Sequence, residues 1–230
     1  MTCHNCQSQC KRFGKHRNGL QRFRCNQCSK TYTEAQWDHE QDNKEIGDAY
    51  CFVAMERSSK LVLTHYLGKR TAESTDRFIS QLALATAPTR RYQLTSDGFA
   101  PYKPAVKSFL RGRVDFAQLV KVYASPREGE QRYSPAEVVD AVPEKVMGNP
   151  DSDRICTSYI ERQNLSIRMG MRRMTRLTNA FSKKWANLQA AYSLWFAYYN
   201  FCRTHKTLRV SPAMEAGIAD HVWAVSELLY

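Results

Sequence analysis

Two pairs of cysteines stand at metal-ligand spacing: Cys3-x2-Cys6 and Cys25-x2-Cys28, separated by eighteen residues. Each pair offers two thiolates from one tight turn, and two such knuckles complete the tetrahedron of a four-thiolate zinc site. A module of about 30 residues cannot bury a sufficient core, so zinc would supply most of its folding free energy. Cys10 and His16 are further donors and leave open which four residues ligate. A closed four-thiolate site is structural, and any function must come from the loops around it. Those carry Lys11, Arg12, Lys15, Arg17, Arg22, Arg24 and Lys30, with no acid among residues 1–33. A second chemistry is signalled by isolation. Between Arg154 and Met214 the single acid Glu161 stands among eleven Lys and Arg. A lone carboxylate in so basic a stretch suits a group that holds a cation beside a polyanion. Nucleic-acid phosphoryl transfer uses two divalent metals about 4 Å apart held by three or four carboxylates, and hard oxygen ligands suit Mg²⁺ or Mn²⁺. Asp97 is a possible partner, because it follows a short β-like run and precedes Gly98, which permits a sharp turn.

The bulk numbers agree with an acidic partner. The formal charge is +12 over 230 residues, with 43% hydrophobic and 24% charged residues. Such a chain is globular, and its charge excess favours nucleic acid through counterion release. Arg162, Arg168, Arg172, Arg173, Arg176, Lys183 and Lys184 cluster on and after the Glu161 segment, and Arg203, His205, Lys206 and Arg209 follow the next one. No acids interleave, so these residues are candidate phosphate contacts. The longest nearly apolar run, Ala190 to Phe201, falls short of the ~20 residues of a bilayer span, so no membrane association is expected. The first residues lack the apolar core of a signal peptide. A cytoplasmic, nucleoid-associated protein is expected, in which cysteines serve as ligands or buried thiols rather than disulfides.

These groups need elements to hold them. Residues 34–48 contain six acids against Lys44 and little to bury, so they read as a linker. Ala49–Met55 and Lys60–Leu67 read as strands joined by the turn Glu56–Ser59. Thr71 caps a helix to Ala85 with Phe78, Ile79, Leu82 and Ala85 inside. Arg91–Thr95 is a short strand, Lys103–Tyr123 a strand or helix pair, and residues 125–153, with four prolines, an irregular insertion. Two helices follow, Ser158–Met174 and Phe181–Cys202. In the second, Phe181, Trp185, Leu188, Tyr192, Trp195 and Tyr199 share one face. A mixed α/β fold is expected.

Five segments together resemble bacterial insertion-sequence transposases: Thr95-Ser96-Asp97-Gly98-Phe99; Arg132-Tyr133-Ser134-Pro135-Ala136-Glu137; Tyr159-Ile160-Glu161-Arg162-Gln163-Asn164; Arg176-Leu177-Thr178-Asn179-Ala180-Phe181-Ser182-Lys183-Lys184; and the stretch from Tyr199 to Met214. The type is the small-element kind, a zinc ribbon followed by a DDE domain. The resemblance implies a ribbon over 1–33, a linker over 34–48, an RNase H-like domain over 49–217 and a terminal helix or tail over 218–230. It further implies metal-dependent cleavage and transfer of double-stranded DNA, with Mg²⁺ or Mn²⁺ on Asp97 and Glu161 as second and third carboxylates. Assembly as a homo-oligomer on paired ends is implied too. The chain departs from the family pattern between Ala35 and Ile46, where a helix-turn-helix and a strand bearing the first aspartate are missing. Gln36-Trp37-Asp38 echoes that motif, making Asp38 the candidate first carboxylate ahead of Asp42 and Asp48. Two readings follow: a DNA transposase, shortened internally, or a catalytically dead DNA-binding derivative that occupies or represses element ends.

Overall fold

The computed structural model describes residues 3, 6, 8–15, 21–33, 49–123, 138–175, 182 and 184–229. His16, the acidic stretch with Asp38, Asp42 and Asp48, and Arg176, Phe181 and Lys183 lie outside the described residues. The chain divides into two compact units, Met1–Asp48 and Ala49–Tyr230.

The first unit is an antiparallel sheet of β1 (Cys10–Lys15), β2 (Gln21–Cys25) and β3 (Thr31–Thr33) in that order. Cys10 pairs with Cys25 and Phe23 with Tyr32. The register slips between Arg12 and Lys15, where Gly14 takes φ +67°. Of residues 3, 6, 8–15 and 21–31, only Cys3 and Cys25 are buried, so sulfur stands where a larger domain would place its apolar core.

The second unit begins with a hairpin, β4 (Tyr50–Met55) and β5 (Val62–Gly68), paired from Tyr50–Gly68 to Met55–Val62. Alternation sends Phe52 and Ala54 to one face, and Cys51, Val53 and Met55 to the other. The connecting turn closes on Glu56, whose carboxylate accepts from the backbone N–H and hydroxyl of both Ser58 and Ser59 at 2.6–3.0 Å. Helix α1 (Ala72–Ala85) is capped by Thr71, which accepts from the Ser74 N–H at 3.3 Å. Its buried stripe of Thr75, Phe78, Ile79 and Leu82 covers the Phe52 face, joined by Ala105 and Val106 of α2 (Tyr102–Phe109).

A separate sheet holds β6 (Tyr92–Asp97), β7 (Val114–Tyr123) and β8 (Val138–Met147), with β6 parallel and β8 antiparallel to β7. β8 corrects the expectation of an irregular insertion over 125–153. It is an edge strand, exposed at eight of its ten positions, with Val138, Val139 and Val142 open to solvent. With one edge unpaired among the described residues and little to bury, it tolerates Pro143 and lacks the alternation that marks a half-buried strand.

Helix α3 (Ser158–Gly170) is shorter than the expected Ser158–Met174, and Met171 leads into a 3₁₀ turn over Arg172–Met174. A Cβ on Gly170 would collide with the Trp195 ring, so glycine lets α3 come close to α4 (Trp185–Ala197). The latter continues as a π turn over Tyr198–Cys202. Its inner side is wider than the six-residue stripe, since Phe196 is buried with Tyr192 and Tyr199 while Trp185 is 41% exposed. These aromatics, with Ile167 and Met171, pack against Val62, Leu67 and the Cys51 face of the hairpin. Two side-chain amides tie helices and loops to strands. Asn200 accepts from the Val62 N–H at 3.0 Å and donates to its carbonyl at 2.9 Å. Gln93 in β6 does the same for Asp151, at 2.9 and 3.0 Å. The four-residue helix α5 (Pro212–Glu215) and a 3₁₀ turn over Val225–Leu229 complete the described chain. No described helix is long and apolar enough to cross a membrane.

Among the described residues nothing pairs with the outer edge of β4 or of β6. Every residue of both strands lines a cavity of about 1400 Å³. The slot is open to solvent.

Candidate metal centre and carboxylate site

In the first unit the sulfurs of Cys3, Cys6, Cys25 and Cys28 all lie within 4.8 Å of one another. Cys3 is 3.5 Å from Cys28, and Cys6 is 3.4 Å from Cys25. A tetrahedral zinc with Zn–S of about 2.3 Å sets its sulfurs roughly 3.8 Å apart, so the cage has the right size. Both turns are closed by backbone bonds, Cys3 N–H to Ser8 O at 2.7 Å and Cys25 N–H to Lys30 O at 2.9 Å. The Gln27 and Cys28 amides aim at the Cys25 sulfur at 3.4 and 3.5 Å. Donation from Cys28 first, then Gln27, lowers the Cys25 thiol against its burial, favouring the thiolate that a metal requires. Cys10 pairs with Cys25 across the sheet, but its sulfur is not one of the four. It points towards the Ser8 carbonyl at 4.0 Å, and burial followed by the charges of Cys25 and Cys3 raises its thiol.

In the second unit, Asp97 is the last residue of β6 and pairs with Leu119 of β7. The two-residue period of β7 puts Lys121 on the same face one step further. Gly98 turns the chain so closely over β7 that a Cβ there would stand 3.2 Å from Val120 Cγ2. Asp97 Oδ1 accepts the Phe99 N–H at 3.2 Å. Glu161 lies in the first turn of α3, where it accepts from Thr157 Oγ1 at 2.7 Å and forms an ion pair with Lys121. Lys121, then Thr157, hold the Glu161 carboxyl below its ordinary value, and the same contact raises the Lys121 ammonium. Asp97, Lys121 and Glu161 all line the large slot.

Two clasps deliver α3 to that place. Arg91 grips Asp115 through two nitrogens at 2.6 and 2.9 Å, and Asp115 also accepts the Asn149 N–H at 2.7 Å. These bonds, Arg91 first, hold the Asp115 carboxyl at about 2. The chain passes at Gly148, with φ +72°, where any Cβ would strike Asp115. The Gln93–Asp151 amide clasp follows. Among the described residues the four cysteines are the only group of three or more His, Cys, Asp or Glu close enough to share an ion. The sequence reading missed Lys121. Its one usable signal was strand periodicity, which places Asp115, Ala117, Leu119 and Lys121 on one face.

Around the slot lies a basic surface. Lys60 Nζ sits 3.9 Å and the Arg57 guanidinium 5.5 Å from the centre of the Tyr159 ring of α3. His205 is depressed by burial first, then by Arg203, Lys60 and Arg162. That shift records three cations from separate elements near one imidazole, two of them, Arg162 and Arg203, singled out from sequence. Arg203 also stacks on Tyr199 at 6.0 Å. Arg168, Arg172, Arg173, Lys184, Lys206 and Arg209 are exposed, and among the described residues none forms an ion pair. Arg173 donates to Ser182 Oγ at 2.8 Å.

No family model, curated protein or solved structure matches the chain.

Proposed function

We propose that the chain is a DNA-binding protein of the DDE transposase type whose carboxylate centre is incomplete on its own. It would occupy DNA through its basic surface without cutting it. The observation that carries this reading is the setting of Glu161. It lines one slot with Asp97, and among the described residues its charge is met by Lys121. Two carboxylates with a DNA phosphate and waters suffice for a single Mg²⁺ or Mn²⁺, whereas a two-metal centre needs more oxygen ligands. Asp97 and Glu161 would be the residues to hold such an ion, which would draw the phosphate into the slot mouth. In this reading the open slot is the place of the central strand of an RNase H-like sheet. Arg57, Lys60, Arg162, Arg203 and His205 then form the phosphate-binding rim, with the four-cysteine ribbon as a second basic module.

The active transposase is a second reading, favoured by the convergence of Asp97 and Glu161 from distant segments. Mobilisation of a marker flanked by the gene's neighbouring DNA separates the two, using the unmodified protein, Glu161→Gln and no protein. The expected result is no movement in any arm, with both proteins retaining salt-dependent binding to the flanking DNA. Movement with the unmodified chain alone would establish the enzyme, and loss of DNA binding would overturn both readings.

A further inference from the structure

Four groups from three elements converge beside the turn between β4 and β5, and none of them lines the slot. Lys60 comes from that turn, Arg162 from α3, and Arg203 and His205 from the segment after the π turn. Asn200 binds the Val62 backbone through both of its amide atoms, which brings the chain just before Arg203 beside the chain just after Lys60. On α3, Tyr159 and Arg162 are spaced i, i+3 and so share one side of the helix. Lys60 sits over the Tyr159 ring at 3.9 Å. His205 is fixed by its own turn. Its N–H donates to the Val210 carbonyl at 2.9 Å, and its carbonyl accepts from the Leu208 and Arg209 amides at 3.1 and 2.8 Å. Its Nδ1 meets Thr207 Oγ1 at 3.0 Å, and among the described residues its Nε2 forms no hydrogen bond.

Among the described residues no carboxylate answers these charges. Lys60, Arg162 and Arg203 form no ion pair. The acids beside them in sequence are taken, Glu56 by Ser58 and Ser59 and Glu161 by Lys121. Lys60 donates to the Arg57 carbonyl, a neutral acceptor. A solvated basic face spreads its charges into water, whereas here Lys60, Arg203 and His205 are half-buried and three cations act on one ring. Burial first, then Arg203, Lys60 and Arg162, hold His205 below its ordinary value, so the free ring is kept neutral. An oxyanion placed among them reverses that balance, because it offsets the three cations and accepts from a protonated imidazole. Phosphate suits such a cluster, since its oxygens point to several sides at once and arginine binds it well.

We propose that Lys60, Arg162, Arg203 and His205 together seat one phosphate group of the DNA backbone, and that His205 takes up a proton as that phosphate arrives. The inference deepens the reading of this surface as a DNA-binding rim, and rests on it for the identity of the ligand. It adds that binding is linked to pH through one named residue. The sign follows from which form of the ring each state favours: the free seat favours the neutral imidazole and the occupied seat the charged one. Affinity therefore rises as pH falls from the imidazole's bound value to its free value, by up to about tenfold per pH unit, and is level outside that window.

The first arm of the test needs no DNA. The ring protons of His205 are titrated by NMR in the full chain from about pH 5 to about pH 8, in chloride, sulfate and acetate at equal ionic strength. Sulfate keeps both charges over this range and stands in for phosphate. The His205 midpoint should rise in sulfate alone. No rise in sulfate would overturn the seat, and an equal rise in acetate would make it a carboxylate seat and overturn the phosphate assignment. The second arm measures binding to a DNA duplex over the same range. The unmodified chain should gain affinity as pH falls, and His205→Gln should lose that gain. Equal pH dependence in the two proteins would overturn the proton link. Should His205→Gln not fold, the ring midpoint of the unmodified chain with and without DNA decides instead, and an unchanged midpoint counts against the link. A sulfate response without DNA binding at any pH would overturn DNA as the occupant together with the DNA-binding reading. A DNA complex lacking the His205 link would overturn this inference alone.

Discussion

The four thiols of the N-terminal unit and the two carboxylates proposed as a cation site in the larger unit would face the same difficulty, that like charges must be brought together before a cation can hold them. The thiols meet it locally. Each knuckle is one turn closed by its own backbone bond, and the cage needs only a three-stranded sheet to join the halves. The carboxylates meet it across the fold. Asp97 arrives on the end of β6 and Glu161 on α3, with the Asp115 and Gln93 clasps between them. The four sulfurs lie close enough to share an ion, whereas Glu161 is paired with Lys121. A site assembled from distant elements is lost in part when one element is missing; a site within one turn is kept or lost whole.

The largest test of that contrast is metal removal. Structural zinc contributes about 10–16 kcal/mol in small modules. Chelation, or Cys25→Ser, should therefore abolish amide protection in β1–β3 while leaving the melting of Ala49–Tyr230 unchanged. A ribbon that stays folded without metal would break the comparison.

Glu56 sharpens it, being a carboxylate closed by its own turn. Burial alone would raise its carboxyl, but the Ser59 and Ser58 donors outweigh it and hold the group at about 2. Because the folded value lies below the unfolded one, near 4.5, this stability is present above about pH 4.5. It is lost as pH falls through about 2. The difference is worth about 2–3 kcal/mol. Urea unfolding from pH 7 to pH 2 should show an acid loss that Glu56→Gln reduces by that amount.

The approach of α3 to α4 comes next. Adding a methyl at an exposed helical glycine ordinarily stabilises by roughly 0.5–1 kcal/mol, so the sign decides. Gly170→Ala should instead destabilise by about 1–3 kcal/mol through its collision with Trp195. A higher denaturation midpoint would show that α3 is not held there.

The smallest effect concerns Lys121. An exposed ion pair is worth ~0–1 kcal/mol. Lys121→Met should raise the Glu161 carboxyl towards its ordinary value and strengthen Mn²⁺ binding by no more than about fivefold, read from water-proton relaxation. Weaker Mn²⁺ binding would mean that the lysine positions Glu161 instead of competing for it.

Local signals were legible and long-range ones were not. The cysteine spacing located the cage, and Thr71 with its 3.6-residue stripe located α1 to within a residue, because cap and periodicity lie within one segment. Asp97 and Glu161 were read from their flanks, but nothing near either residue announced Lys121. β8 was invisible because an exposed edge strand carries no burial pattern. Met171 and Trp195 show the same limit at helix ends, since α3 stops where it meets another helix.

Asn200 and Gln93 carry a consequence for how the larger unit opens. Each amide acts as a one-residue strand, the first fixing the π turn after α4 to β5, the second fixing the entry to α3 to β6. Phe52 and Ala54 of β4 belong to the same buried cluster as Val114 and Phe116 of β7, so the two sheets share one core. Neither sheet can open without exposing side chains of the other, and both amide clasps are expected to release in the same cooperative step.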